Sequence, residues 1–237
     1  MRIVYLGLNK IGKRIYDWLL EQGEEVLCLL TSSEQLRLIP ELKPDLIISG
    51  GFRSIIPKNI LDIPKKGCIN FHKALLPVNR GANPNVWTIL KNTPAGVTIH
   101  LMDHGIDSGP ILKQREVRFS PADTAGSLYT KLEEAQFDLF RDFWPEFKGG
   151  AIQPVKQNAQ GTIHKKSDFK NLWQIDLDRT YRAEDFITLL RSLTFPPFKN
   201  AYFEKQGKRY YLEIRIHPEQ ERKENPSVWL PDYHTKD

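Results

Sequence analysis

Cysteine is scarce in this sequence. Its 237 residues hold two, Cys28 and Cys68, each inside an apolar run, with no CxxC and no histidine at ligand spacing. This excludes a disulfide-stapled scaffold and a zinc ribbon. It reads as buried small hydrophobes in a reducing compartment, so a metal-free, cytoplasmic protein is expected. Long apolar runs are missing too: the opening MRIVYLG breaks at glycine after a four-residue strand-like run and charges follow at once, which fits neither a signal peptide nor a membrane span. The sequence has no internal repeat and no low-complexity tract. The GxGxxG fingerprint is absent as well. The turn from Gly7 to Gly12 holds two glycines five residues apart, and no acidic ribose partner ends the second strand, so a dinucleotide cofactor has little support.

The composition is that of a folded globular protein, 40% hydrophobic and 27% charged, with five Trp, eight Tyr and twelve Phe. Its length suffices for one large domain, or for a domain with a small appendage. The net charge of +5 is spread among 29 acids rather than gathered into a stripe, which suits a small anionic substrate as well as a polynucleotide. Neither nucleic acid nor membrane is an expected partner.

Periodicity gives an α/β order. RIVYLG reads as a strand, Lys10 to Gln22 as a helix with Ile11, Ile15, Trp18 and Leu19 on one stripe, and EEVLCLL as the next strand. Pro44 to Gly51 and Gly67 to His72 read as two more buried strands, predicting a Rossmann-like, doubly wound, mostly parallel sheet. Gly96 to Asp103 and Ile111 to Phe119 read as a hairpin pair. Thr124 to Phe143 carries Leu128, Leu132, Ala135, Leu139 and Phe143 on one helical face, entered through a Ser120–Asp123 cap. After Gly149-Gly150 a polar stretch, QNAQGTIHKKSDF, leads to a short helix near Ala183 to Leu193, then to a hairpin, AYFEKQGKRYYLEIRI, turning at Gln206-Gly207. The expected division is a catalytic domain over 1–180, a C-terminal helix and hairpin extension over 181–216, and an extended tail over 217–237.

Three features carry chemistry: Asn70-Phe71-His72 at a strand end, the loop from Leu75 through Arg80-Gly81, and Asp107-Ser108-Gly109. Ligands of open α/β sheets sit at the carboxyl ends of strands, and residues two apart in a strand face one side. By itself an Asn-x-His pair is a weak signal and reads first as a capping Asn beside a satisfied core His. The longer text INFHKALLPVNRGANPNVWTIL…TPAGVTIHLMDHGIDSGPIL resembles the signature of the N10-formyltetrahydrofolate-dependent formyltransferases, with Asn-x-His, Leu-Leu-Pro, Arg-Gly, Gly-Val-Thr-x-His and Asp-x-Gly in order. The likeness covers roughly residues 1 to 216. It implies catalysis by Asn70, His72 and Asp107, with N10-formyltetrahydrofolate as co-substrate and no metal.

The chemistry of formyl transfer suits these residue types. An amide N–H and an imidazolium stabilise oxygen that gains charge as an amine attacks, and either neutral His72 or an Asp107-ordered water takes the amine's proton. By resemblance, the pterin lies against Phe52, Arg53, Ser54 and Ile56, the turn Ala74, Leu75, Leu76 and Pro77, and the loop holding Asp103 and Gly105. Relatives more often carry Ser than Ala at position 74. Acceptor contacts are assigned to Arg80, Asn83, Trp87, Phe195 and Tyr202. Arg80 reads as a loop anchor or a phosphate binder, and Trp87 as core or as a wall of the acceptor site. His100 reads as packing or as a second catalytic histidine.

The acceptor is inferred from what accompanies the catalytic region. Methionyl-tRNA formyltransferases are similar but carry a further C-terminal barrel, whereas RGANPN and TFPPFKNAYFE look like the nucleotide-sugar N-formyltransferases. A dTDP-linked amino-6-deoxyhexose for surface polysaccharide is therefore the expected acceptor. The alternatives are methionyl-tRNA or another small amine, water in a hydrolase, and an inactive ligand-binding relative. The aromatics from Phe195 to Tyr211 lie beyond the α/β core on a hairpin whose apolar face needs cover, which predicts a homodimer.

Overall fold

The computed structural model describes residues 1–157 and 160–219. Four strands, β1 (Ile3–Leu6), β2 (Val26–Leu30), β3 (Leu46–Ser49) and β4 (Cys68–His72), pair in parallel. Between them run α1 (Lys10–Glu21), a 3-10 turn (Ser33–Leu38), α2 (Ile39–Leu42) and α3 (Lys58–Leu61). The chain continues through a two-residue β5 (Arg80–Gly81) and α4 (Pro84–Leu90) into β6 (Ala95–Leu101) and β7 (Ile111–Val117), then α5 (Ala125–Lys148). The sheet order is β2-β1-β3-β4-β6-β7, with β6 and β7 antiparallel to their neighbours. This is the expected doubly wound, mostly parallel, Rossmann-like sheet.

Alternation along the strands supplies a core on each face. On one, Ile3, Tyr5, Leu46 and Ile48 meet Ile11, Ile15 and Leu19 of α1 and Leu128, Leu132 and Leu139 of α5. On the other, Val4, Leu6 and Ile47 pack with Leu30, Ile39 and Cys68. Each fully buried Leu or Ile contributes about 1.5–3 kcal/mol by removal from water. The two glycines of the β1–α1 turn serve this packing. A Cβ on Gly12 would lie 2.0 Å from the Gly50 carbonyl oxygen, and Gly7, at φ +77°, would place one 2.4 Å from Phe52 N. They let the first turn close onto the end of β3.

Two boundaries differ from the sequence reading. α5 runs to Lys148, past Phe143, and its N-cap is Thr124, which exchanges bonds with Ser127. Asp123, expected at the cap, sits just outside it, accepting from Ser120 N and Ser127 Oγ and pairing with Lys131. The polar stretch after Gly150 is also structured: β8 (Ile163–His164) pairs in parallel with β5, and α6 (Lys166–Lys170) follows. A two-residue strand is too short to show alternation, and β8 exists through its partner.

The C-terminal unit holds α7 (Ala183–Leu193), β9 (Thr194–Phe195), β10 (Phe198–Lys199) and the predicted hairpin of β11 (Ala201–Lys205) and β12 (Lys208–Leu212). Gln206 and Gly207 have φ of +52° and +71°, as a tight two-residue turn demands. Leu190, Leu193 and Ala201 form its small core with Phe169, Leu172, Trp173 and Phe186. Tyr210, Tyr211 and Phe198 remain exposed. Most of the predicted tail, from residue 220 onward, lies outside the described residues.

Candidate active site

β4 lies centrally, between β3 and β6, and delivers Asn70 and His72 to one side of its carboxyl end. Asn70 stands opposite His100 of β6. Asp107, in the loop between β6 and β7, reaches both strands: its Oδ2 is 3.4 Å from His72 Nδ1, and its Oδ1 is 3.4 Å from Asn70 Nδ2 and 3.5 Å from His100 Nε2. The Gly81 N–H donates to Oδ2 at 2.9 Å. Asn70, His72 and Asp107 thus come together as expected, with His100 as a fourth member.

Each imidazole has one short bond that fixes its proton. His100 Nδ1 donates to the Leu101 carbonyl at 2.8 Å, leaving Nε2 to accept from Asn70 Nδ2 at 3.3 Å. His100, 2% exposed, therefore orients the Asn70 amide. The His72 ring sits between two acceptors, Asn79 O at 2.8 Å from Nε2 and Asp107 at Nδ1. A neutral ring has one N–H, and the shorter contact takes it. The Nδ1 lone pair then faces the carboxylate, and only an added proton turns that contact into a charge-assisted bond.

Burial pushes the His72 pKa below its ordinary value, with Asp107 and the Asn79 carbonyl opposing. Burial alone would raise Asp107. The nearby His72 and His100 and the Gly81 N–H outweigh it, and the carboxyl is held well below the usual range. The result is a neutral, buried imidazole beside a fixed carboxylate, with Nδ1 positioned to take a proton.

Loops brace this group. Asn79, at φ +57°, turns its carbonyl to His72 while its side chain binds Thr88 and Thr93, and its N–H donates to Thr162 Oγ1. Arg80 donates twice to Gln157 Oε1. Asp103 accepts from Gly105 N and Ser108 Oγ, closing the loop before Asp107. In the turn after β4, Thr98 Oγ1 donates to Ala74 O and accepts from Leu76 N, while Leu75 and Pro77 are half-buried. Gln157, Asn79 and Thr162 escaped the sequence reading, since isolated polar residues in loops carry no periodic signal.

The proposed folate contacts Phe52, Arg53 and Ser54 line a cavity of about 260 Å³ with Gly7, Asn9 and Thr31, whereas Ile56 is buried in the core below. A second cavity, of about 500 Å³, has Arg53, Asn83, Tyr129, Phe169, Trp173 and Phe195 in its walls. That volume falls within the range of small-molecule sites, about 300–1,000 Å³. Asn83, Phe169 and Trp173 also line an adjoining recess with Lys166 and Lys170. Trp173 Nε1 is a buried donor with no partner among the described residues. Lys73 Nζ lies 4.5 Å over the Tyr129 ring; burial lowers its pKa against the opposing pull of Glu133.

Three predicted acceptor contacts lie outside these cavities, Arg80 among them, bound to Gln157. Trp87 is 5% exposed, stacked on His164 at 4.0 Å and donating to Ala82 O, so it supports the Asn83 loop from behind. Tyr202 sits on the hairpin with Arg209 over its ring.

A sequence profile for "Formyl transferase" matches residues 28–142, and one for "N-formyltransferase dimerization C-terminal domain" matches residues 168–218. The dTDP-4-amino-4,6-dideoxyglucose formyltransferase of Mycobacterium tuberculosis is 31% identical over 176 residues, 74% of each chain. The chain belongs to the formyl transferase family. A methionyl-tRNA formyltransferase of Myxococcus xanthus is 34% identical over 191 residues, 80% of this chain and 58% of that protein, so this formyl transferase chain spans somewhat over half of that relative's length. Among solved structures, the Anoxybacillus kamchatkensis formyltransferase PseJ, in complex with UDP-4,6-dideoxy-4-formamido-L-AltNAc and tetrahydrofolate, is 35% identical with a TM-score of 0.64, covering 72% of this chain and 89% of that one.

Proposed function

We propose that this protein transfers a formyl group from N10-formyltetrahydrofolate to the amine of a nucleotide-linked amino-deoxyhexose, dTDP being the carrier, for surface polysaccharide synthesis in the cytoplasm. The single observation that carries the reading is the convergence of Asn70, His72 and Asp107 at the carboxyl end of β4. The neutral amine attacks the formyl carbon. Asn70 Nδ2 turns the hydrogen of its long 3.4 Å contact with Asp107 to the oxygen as it gains charge, while His100 keeps the other. His72 Nδ1 takes the proton that the amine loses, Asp107 stabilises the resulting imidazolium, and the proton passes to N10 as the C–N10 bond breaks. The products are the formamide and tetrahydrofolate.

The cavity from Asn83 to Phe195 supports this acceptor class. Aromatic faces stack a base, the unpartnered Trp173 N–H suits a carbonyl or phosphate oxygen, and Arg53, Lys166 and Lys170 suit a diphosphate. Asn83 is two residues from Gly81, whose N–H holds Asp107, so a short stretch of chain links one wall of the cavity to the triad. The match to the dimerization profile and the exposed Tyr210 and Tyr211 support a homodimer joined through the C-terminal unit. Incubation with N10-formyltetrahydrofolate and a dTDP-4-amino-4,6-dideoxyhexose, followed by mass spectrometry of the sugar, tests the reading. A formamido sugar is expected; unchanged sugar with intact co-substrate would reject it.

A further inference from the structure

Asp107 is the least relaxed member of the site. Its φ of +49° is left-handed, which costs a non-glycine residue about 1–2 kcal/mol, and its carboxylate works only where it meets Nδ1 of His72. Something must fix the backbone there. Gln157 does so from outside the loop: its Nε2 donates to the carbonyl oxygen of Asp107 at 2.9 Å and of Gly109 at 2.6 Å, gripping the chain on both sides of Ser108. Its Oε1 accepts from Arg80 Nε at 3.1 Å and Nη2 at 2.7 Å. Arg80 precedes Gly81, whose N–H binds the Asp107 carboxylate. Arg80, Gln157, Asp107 and Gly81 form a closed ring that locks the Asp107 loop to β5.

We propose that Gln157 is a positioning residue for Asp107, acting through the backbone to hold the carboxylate against His72. This rests on the formyl-transfer reading above. The amide is needed because one side chain must accept from Arg80 and donate to two carbonyls. Glutamate satisfies Arg80 but opposes both carbonyl oxygens, so Gln157→Glu keeps one half of the ring and releases the other. Gln157→Ala releases both.

The test compares kcat, both KM values and melting temperature for wild type, Gln157→Ala and Gln157→Glu. Both variants are expected to lose about 10- to 100-fold in kcat, the scale of an ångström-sized misplacement, with each KM within about threefold of wild type. Gln157→Glu should melt near wild type, separating the catalytic loss from a loss of fold. A second readout needs no substrate: imidazole titration by NMR of ¹⁵N-histidine-labelled protein should show the His72 pKa lower in Gln157→Ala than in wild type, because Asp107 no longer holds the proton. Wild-type kcat in Gln157→Glu, or an unchanged His72 pKa in Gln157→Ala, would overturn the proposal. If the wild type transferred no formyl group, the functional reading would fail while the titration still decided the positioning role.

Discussion

Replacing Asp107 by asparagine removes a charge at nearly constant shape. The Gly81 N–H can still find an oxygen on the new side chain, so the loop should persist. What goes is the attraction for a proton on His72 Nδ1, 3.4 Å away. Two unit charges at that separation interact by about 5 kcal/mol at an effective dielectric near 20. The Asp107 side chain is 15% exposed, so water screens part of this. About 3–4 kcal/mol of imidazolium stabilisation is then lost, a kcat lower by roughly 10²- to 10³-fold. Because burial already places His72 below its ordinary pKa, the acid limb of the wild-type kcat profile should lie below about pH 6.5, falling as His72 becomes protonated. In Asp107→Asn that limb should move further to acid. Steady-state release of tetrahydrofolate, measured across pH, reads both quantities. A variant keeping a third or more of the wild-type kcat with an unmoved limb would refute the proposed role of Asp107.

Stability should also depend on pH with a fixed sign. His72 and His164, lowered by burial, and Asp107, lowered by its neighbours, bind fewer protons folded than unfolded in acid. The urea midpoint should hold above about pH 7, decline as pH falls below about 6.5, and decline again below about 4; a midpoint that rises between pH 7 and 5 would contradict the assignment. Gly12→Ala should destabilise by about 1–3 kcal/mol, because its Cβ has only 2.0 Å to the Gly50 oxygen, and an unchanged urea midpoint would show that the turn is looser than described. Light scattering should give about twice 27.5 kDa, falling to the monomer when Tyr210→Glu and Tyr211→Glu place charge on both faces of the exposed hairpin; a monomeric wild type would remove the proposed dimer.

The sheet was legible because its strands are short, apolar and buried, and because α1 and α5 carry full stripes such as Ile11, Ile15 and Leu19. The triad was legible through the resemblance that five motifs carry in order; the spacing of Asn70 and His72, two apart on one strand, would alone have read as a capping Asn beside a core His. His100 was ambiguous, since its role depends on standing opposite Asn70 across an antiparallel pair that only the register reveals. Gln157 and Thr162 left no trace in the sequence pattern, because each acts on residues far along the chain, Asp107 and Asn79, through loops without periodicity. β8 went unread for a related reason, as its two residues are a strand only beside Arg80 and Gly81. α5 runs past Phe143, the last residue of its expected apolar stripe, and takes Pro145 into its last turn.

Acceptor competition tests the central claim most directly. With ¹³C-formyl-labelled N10-formyltetrahydrofolate in excess, a dTDP-linked amino-deoxyhexose, its UDP-linked counterpart and initiator methionyl-tRNA would be offered together, and the label traced to each product. The account predicts that the label goes chiefly to the dTDP-linked sugar and that Asn83→Ala and Phe195→Ala weaken its capture. Label appearing on methionyl-tRNA alone would contradict it.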